Sequence, residues 1–404
     1  MDSRGWWLTA LILVVAVLMR NSLLFLLGIF LALIGGAAYL WMRTCLTGVT
    51  YRRRLGATRL FHGETTDLYV QITNAKVLPL AWLRAEDEFP RALPITPARV
   101  APCHLPNRQY LVNNLSLRWY ERVTRHYRVQ GLHRGAWTFG PVELASGDVF
   151  GFAVQRAPLD EKNELIVYPR LVSLAALGLP AERPFGDYRT RRLLSDDPLR
   201  ISGARNYQPG DSPRQIHWRA TARRGELQTK TFDAAASRPL AIFLNVNTFR
   251  YLWEGIDPEC QEFCITVSAA IARWAWENDQ PAGLYINAVA PPNAKPISIR
   301  PGTHPDQLLN ILEALARVSN FGRWSIERTL LVEAQRLPGG SSVVLVTAQV
   351  SPELVQILAD LRRRGFGVTL ATAGAIDAKI PPEIRHYPLG GREAWRALDA
   401  LALA

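Results

Sequence analysis

Residues 197–233 read DPLRISGARNYQPGDSPRQIHWRATARRGELQTKTFD, and how this stretch is read decides how the chain is divided. Seven Lys or Arg are interleaved with Tyr207, Trp218, Phe232 and a single histidine, His217. Before it the hydrophobic pattern alternates every second residue; after it short apolar runs alternate with helical periods. Within it, Gln208-Pro209-Gly210 has the composition of a turn, because Pro fixes φ and Gly accepts positive φ. Asp211 or Ser212 is then expected to cap a helix whose first turn accepts Pro213 and which Gly225 ends. On that helix Arg214, His217, Trp218 and Thr221 share one face, and Ile216, Arg219, Ala220 and Arg223 lie toward the other, so neither is a plain apolar stripe. Glu226–Phe232 alternates as a strand.

Working outward toward the N-terminus, Thr50–Tyr168 carries several short alternating runs, among them Asp67–Asn74, Tyr110–Trp119 and Arg122–Gln130. Turn residues Gly63, Asn74, Gly131, Gly135 and Gly147 punctuate them, which predicts a small antiparallel β-sandwich with Trp82, Trp119 and Trp137 in its core or on its rim. Upstream, Trp6–Met19 is apolar apart from Thr9, and Leu23–Met42 is an uncharged run of 20 residues, enough to cross ~30 Å of hydrocarbon. With Arg20-Asn21 between them, the two runs are expected to form a transmembrane helical hairpin. A cleavable signal peptide is the competing reading of the first run. Arg43, Arg52, Arg53, Arg54 and Arg59 follow the second run while only Arg20 separates the two, which puts the soluble bulk in the cytoplasm.

Toward the C-terminus, Leu240–Val246, Ala282–Ala288, Ser342–Thr347 and Val368–Thr372 read as strands. Glu259–Asn278, Pro305–Ser319, Ile326–Arg336 and Pro352–Arg364 read as helices. That alternation predicts a Rossmann-type parallel sheet with helices on both faces. The expected organisation is therefore a membrane hairpin over 1–46, a β-sandwich over 47–170, a linker with the basic segment over 171–237 and an α/β domain over 238–404.

Arg205-x-Tyr207-x-Pro209-Gly210-Asp211, Arg214, Ile216-His217-Trp218, Ala222-Arg223 and Lys230-x-Phe232 together resemble the signature of the domain of unknown function 58 family. Phe61-x-Gly63-Glu64, Arg134-Gly135, the run from Ser146 to Phe152 and Tyr168-Pro169 extend the resemblance upstream. It implies a bacterial protein of the inner membrane, a von Willebrand A-like domain after the signature, and a MoxR-type AAA+ ATPase as partner. The functional form of that domain binds a divalent cation through Asp-x-Ser-x-Ser, a loop Thr and a further Asp. Here Asn245-Val246-Asn247-Thr248-Phe249 and Val346-Thr347-Ala348-Gln349 stand in those places. A hard cation needs anionic oxygens, so Asn245, Asn247 and Thr347 are expected to form a degenerate site without metal or cofactor, unless Asp257 or another carboxylate substitutes.

The formal charge of +12 directs attention to anionic partners, yet much of it lies beside the apolar N-terminus, where attraction to a lipid bilayer explains it. Cys45, Cys103, Cys260 and Cys264 form no disulfide framework and no zinc spacing. A hydrolase using Asp211 as orienter of His217 is one alternative; the sequence marks no Ser or Cys nucleophile beside them. Nucleic-acid binding by the basic, aromatic segment is a second alternative, but Asp211, Glu226 and Asp233 are mixed into it. The favoured expectation is a non-enzymatic, membrane-anchored adaptor. Its binding surface is formed or supported by Arg205, Tyr207, Gly210, Asp211, Arg214, His217, Trp218, Arg219, Arg223 and Lys230.

Overall fold

The computed structural model describes residues 3–147, 154–180, 184–185, 201–208, 213, 216–232, 238–290, 295–318, 321–374, 376 and 378–403. They fall into two units, Met1–Arg170 and Leu171–Ala404.

The first unit opens with helix α1 (Ser3–Leu18) and helix α2 (Ser22–Cys45). Asn21 caps α2 by accepting from the backbone N–H groups of Leu23 and Leu24, and Arg20 takes φ 49° in the turn. The helices approach closely where Gly28 faces Leu13: a Cβ on Gly28 would stand 2.6 Å from Leu13 Cδ2. By length and composition α2 can cross a bilayer; the apolar run of α1, Trp7–Leu18, is shorter.

Twelve strands follow, β1 (Val49–Leu55), β2 (Arg59–Leu60), β3 (Thr65–Asn74), β4 (Leu80–Pro90), β5 (Ile95–Thr96), β6 (Val100–Pro102), β7 (Arg108–Leu117), β8 (Arg122–Gln130), β9 (Gly135–Phe139), β10 (Val142–Gly147), β11 (Val154–Leu159) and β12 (Asn163–Val167). They form sheets of order β1-β3-β8-β5, β11-β10-β4-β7-β6 and β2-β12-β9, antiparallel except for the β2–β12 pair. Alternate residues such as Leu68, Val70 and Ile72 of β3, and Leu83, Ala85 and Phe89 of β4, enter one continuous core. Trp137 packs against that core and Trp119 lies exposed, so the tryptophans divide between core and rim.

Arg53 breaks the apolar rule of that core. In β1 it alternates with Tyr51 and Leu55, and it pairs with Asp87 at 2.8 Å with both side chains fully buried. Tyr51 donates its hydroxyl to the other carboxylate oxygen at 2.7 Å. Burial pushes the Asp87 carboxyl up to about 6 against the pull of Arg53 and of the Tyr51 hydroxyl.

The second unit holds a two-stranded ribbon, β13 (Ile201–Asn206) with β14 (Gln228–Phe232), and between them helix α3 (Trp218–Arg224). Beyond it come β15 (Leu240–Leu244), α4 (Pro258–Glu277), β16 (Ala282–Ala290), β17 (Lys295–Gly302), α5 (Gln307–Ala316), α6 (Ile326–Ala334), β18 (Ser342–Thr347), α7 (Pro352–Arg363), β19 (Gly367–Thr372), β20 (Arg385–Pro388) and α8 (Arg392–Leu403). Their sheet has the order β17-β16-β15-β18-β19-β20, parallel except for edge strand β17. Chain progression reverses between β15 and β18, which makes the crevice at their carboxyl ends a topological switch point. Strands β15, β18 and β19 are buried throughout, as a sheet covered on both faces requires. Leu330 of α6 and Leu358 of α7 share a core with Phe243, Leu345 and Leu370, while α4 packs on β15, β16 and β18 and contacts α5 and α8.

Candidate functional site at the carboxyl edge of the sheet

The signature segment departs from its sequence reading at one point. The helix begins at Trp218, and His217 is its cap, Nδ1 accepting from the backbone N–H of Ala220 at 3.2 Å. Asp211 and Ser212, the expected caps, lie outside the described residues, as do Gly210 and Arg214. The physical reason is competition from the ribbon: the His217 N–H donates to Gln228 O at 2.7 Å and Ile216 bridges to Thr229, so the backbone is held extended up to the cap. Gly225 ends the helix at φ 74°, as its freedom in the left-handed region allows.

Within the ribbon Arg205 lies exposed on β13, Tyr207 follows it half-buried, and Lys230 is half-buried on β14. Trp218, Arg219 and Arg223 project from a helix that buries no residue. His217, Trp218, Arg219 and Arg223 thus stay together on one surface element.

Asn245, Asn247 and Thr347 are brought together in one hydrogen-bonded cluster. Asn245, just past β15, donates from Nδ2 to Thr347 Oγ1 at 3.0 Å. Its Oδ1 accepts from Asn287 Nδ2 at 2.8 Å and from the Asn247 N–H at 3.1 Å. Asn287 Oδ1 accepts from the Val246 N–H, and Asn247 Oδ1 from the Gly322 N–H, both at 3.0 Å. Gly322 is required by closeness: a Cβ there would stand 2.7 Å from Asn247 Oδ1 and 2.8 Å from Asn287 Nδ2. Thr347 Oγ1 donates in turn to Gln349 O at 2.7 Å.

This donor set does not fit a hard divalent cation. Amide N–H groups point where anionic oxygens would be needed, and the amide oxygens already accept from neighbours. Among the described residues no three His, Cys, Asp or Glu side chains form a group able to hold a metal.

Asp257 does different work from that of a substitute ligand. Its Oδ1 caps α4 by accepting from the N–H groups of Glu259 and Cys260, with Pro258 in the first turn. Its Oδ2 accepts from Arg392 Nε at 2.6 Å, and Arg396 of α8 pairs with Glu259 at 3.1 Å. Burial alone would push the Asp257 carboxyl up; Arg392 and the Cys260 N–H outweigh it and hold the carboxyl below its usual range. Burial pushes the Cys260 thiol up to about 11 and raises that of Cys264 as well, so both cysteines are inert packing residues of α4.

Beside this cluster a cleft of about 560 Å³ opens at the carboxyl ends of β15, β18 and β19, lined by Thr248, Arg250, Asp257, Gln349, Ser351 and Gly374. On the loop from β15 to α4, Tyr251 and Trp253 stack with ring centroids 4.3 Å apart, Trp253 being 80% exposed. The Arg250 guanidinium lies 5.6 Å from the Tyr251 ring centroid. Sequence reasoning missed Arg392, Arg396, Asn287 and the Tyr251–Trp253 pair. The only sequence signal was the Tyr and Trp two residues apart in a loop at a strand's carboxyl end.

The chain is 25% identical over 233 residues to the uncharacterized protein YeaD of Bacillus subtilis (strain 168), covering 57% of this chain and 54% of that protein, so it spans about half the length of this curated relative. Among solved structures, the CARDB domain of the PF1109 protein of Pyrococcus furiosus, in complex with di-metal ions, overlaps 30% of this chain and 91% of its own at 10% identity and a TM-score of 0.19. AvmM, which catalyses macrocyclization in alchivemycin A biosynthesis, overlaps 31% of this chain and 92% of its own at 12% identity and a TM-score of 0.22. Scores this low carry no argument about fold or activity. Residues 203–381, from the ribbon through the sheet to the loop after β19, match the family described as protein of unknown function DUF58. Over that segment, and not over the rest of the chain, the sequence is similar to the DUF58 family.

Proposed function

We propose that this protein is a non-enzymatic scaffold anchored in the inner membrane, whose α/β domain docks a protein partner at the carboxyl edge of its sheet. The observation that carries this reading is the exposed Tyr251–Trp253 stack standing beside the cleft, next to an amide cluster whose donors and acceptors serve one another. An exposed, preorganised aromatic pair with a neighbouring arginine has the composition of a binding hot spot. In this reading α1 and α2 form the two-span hairpin, the arginines after α2 keep the soluble units cytoplasmic, and the sheet domain is von Willebrand A-like without its metal. The strand order, with an antiparallel third strand at one edge, supports that last assignment.

The resemblance of the signature supplies the partner, a MoxR-type AAA+ ATPase, and the work of such a pair would be assembly or maturation of other proteins. Arg219 and Arg223 add an exposed basic face suited to an acidic surface on that partner. Affinity capture of the detergent-solubilised full chain, with purified ATPase and with or without ATP, tests the reading. Retention that depends on nucleotide is the expected result; no retention in either state would overturn it.

A further inference from the structure

We infer that the hairpin loops at the α2 end of the β-unit form a lipid-docking face, with Val77, Trp119 and Tyr120 seated in the headgroup region of the bilayer that α2 crosses. The inference rests on the reading of α2 as a membrane span. Two loops make the face: residues 75–79 between β3 and β4, and residues 118–121 between β7 and β8.

Their position relative to α2 is fixed by hydrogen bonds. Lys76 Nζ donates to the carbonyls of Thr44 and Thr47 at 2.7 Å and also to that of Cys45, so it closes the C-terminal end of α2. The second loop is tied to the first: Tyr120 N–H donates to Lys76 O at 3.1 Å, and Asn74 Nδ2 donates to both Leu78 O and Arg118 O at 2.9 Å. Trp41 and Leu46 of the α2 region pack against the β core, and Cys45 Sγ lies 3.3 Å from Gln155 Oε1. Helix end and loops are therefore held together, which sets the loop tips at the level of the C-terminal end of α2.

The loop tips have the chemistry of that level. Val77, Trp119 and Tyr120 are 67%, 65% and 65% exposed. Arg118 and Arg122 flank the two rings, and Arg43 in the last turn of α2 lies 5.5 Å from the Tyr39 ring centroid. Amphipathic rings with an apolar body and a polar tip settle at the bilayer interface, and basic side chains beside them meet the phosphates of anionic lipids. Tyr120 also takes φ 50°, a conformation costly for a bulky aromatic and ordinarily filled by Gly or Asn in a hairpin turn. A Tyr there presents its ring outward at a cost that burial in the interface offsets.

The test uses the full chain in nanodiscs of phosphatidylcholine with phosphatidylglycerol, with and without bromine in the upper acyl chain. The difference in tryptophan emission between wild type and Trp119→Phe isolates one indole. We expect that difference to be blue-shifted and to lose most of its intensity in brominated discs; a water-exposed, unquenched difference would overturn the inference. Hydroxyl-radical labelling of the unmodified chain covers a failure of the variant to fold. Trp119 and Tyr120 should be protected in discs while Trp253 is labelled, and labelling equal to that of Trp253 would leave the rings facing water and overturn it. Retention of the chain in carbonate-washed vesicles reports α2 separately. Release would break the membrane reading, whereas retention with an unprotected Trp119 would break only the docking inference.

Discussion

Asn245 Nδ2 donates to Thr347 Oγ1 at 3.0 Å, joining the ends of the two strands between which chain progression reverses. Neutral amides and a hydroxyl bond one another there, with no carboxylate among them. Millimolar Mg²⁺ or EDTA should leave the thermal midpoint of the full chain unchanged, because only a ligand that binds the native state raises it. Asn245→Asp removes the donor to Thr347 and places a charge among buried amides, and should cost about 1–3 kcal/mol. A midpoint that climbs with Mg²⁺ in the wild type would show a cation site elsewhere.

Asp87 and Arg53 form a fully buried pair, so removing one partner strands the other charge. Asp87→Ala should cost about 3–5 kcal/mol, whereas the double replacement Arg53→Met with Asp87→Leu should be much milder. The pH dependence has a definite sign. The folded carboxyl is raised to about 6, so its contribution to stability is present below the unfolded value of about 4 and is lost as pH rises through about 6. Denaturation of wild type against Asp87→Asn across that window should reveal the slope; equal slopes would deny the raised value.

Asp257 has the opposite sign. Arg392 and the capped N–H groups hold its carboxyl low, so its contribution is present above the unfolded carboxylate value and is lost as pH falls through the folded one. Arg392→Ala should bring that acid loss to higher pH. Acid titration of the thermal midpoint in the two proteins checks it, and superimposable curves would mean that the ion pair does not set the carboxyl.

His217 is a capping residue. His217→Ala should cost about 0.5–2 kcal/mol, and His217→Asn, which restores an N-cap acceptor, should recover most of it. If Asn restored nothing, the cap would not be what His217 supplies to stability. Melting curves of the three proteins decide between these outcomes.

What the sequence made legible follows from how each signal is built. The parallel sheet was readable because strands buried on both faces are short uncharged runs, as in Leu240–Leu244 and Ser342–Thr347. The helix starts later than the turn-and-cap composition of Pro209-Gly210-Asp211-Ser212-Pro213 suggests, because the ribbon that holds Ile216 and His217 is a contact made with residues 228 and 229. Arg53 was readable as one of a group of membrane-flanking charges; only the register of β1 turns it inward toward Asp87. The pairs Asp257–Arg392 and Glu259–Arg396 join residues more than a hundred positions apart, so no local pattern announces them. Both depend on α8, which no strand-helix alternation marked.

Docking at the carboxyl edge of the sheet is tested by a binding titration of a purified MoxR-type ATPase against the full chain in nanodiscs, comparing wild type with Trp253→Ala and with Arg219→Glu/Arg223→Glu. Trp253 is 80% exposed and both arginines project from a helix that buries nothing, so all three proteins should melt alike. Trp253→Ala should weaken binding by about 2 kcal/mol or more, the loss typical of an aromatic anchor, and the double reversal should mainly slow association. Unchanged affinity of Trp253→Ala with the fold intact would contradict a docking surface at the carboxyl edge of the sheet.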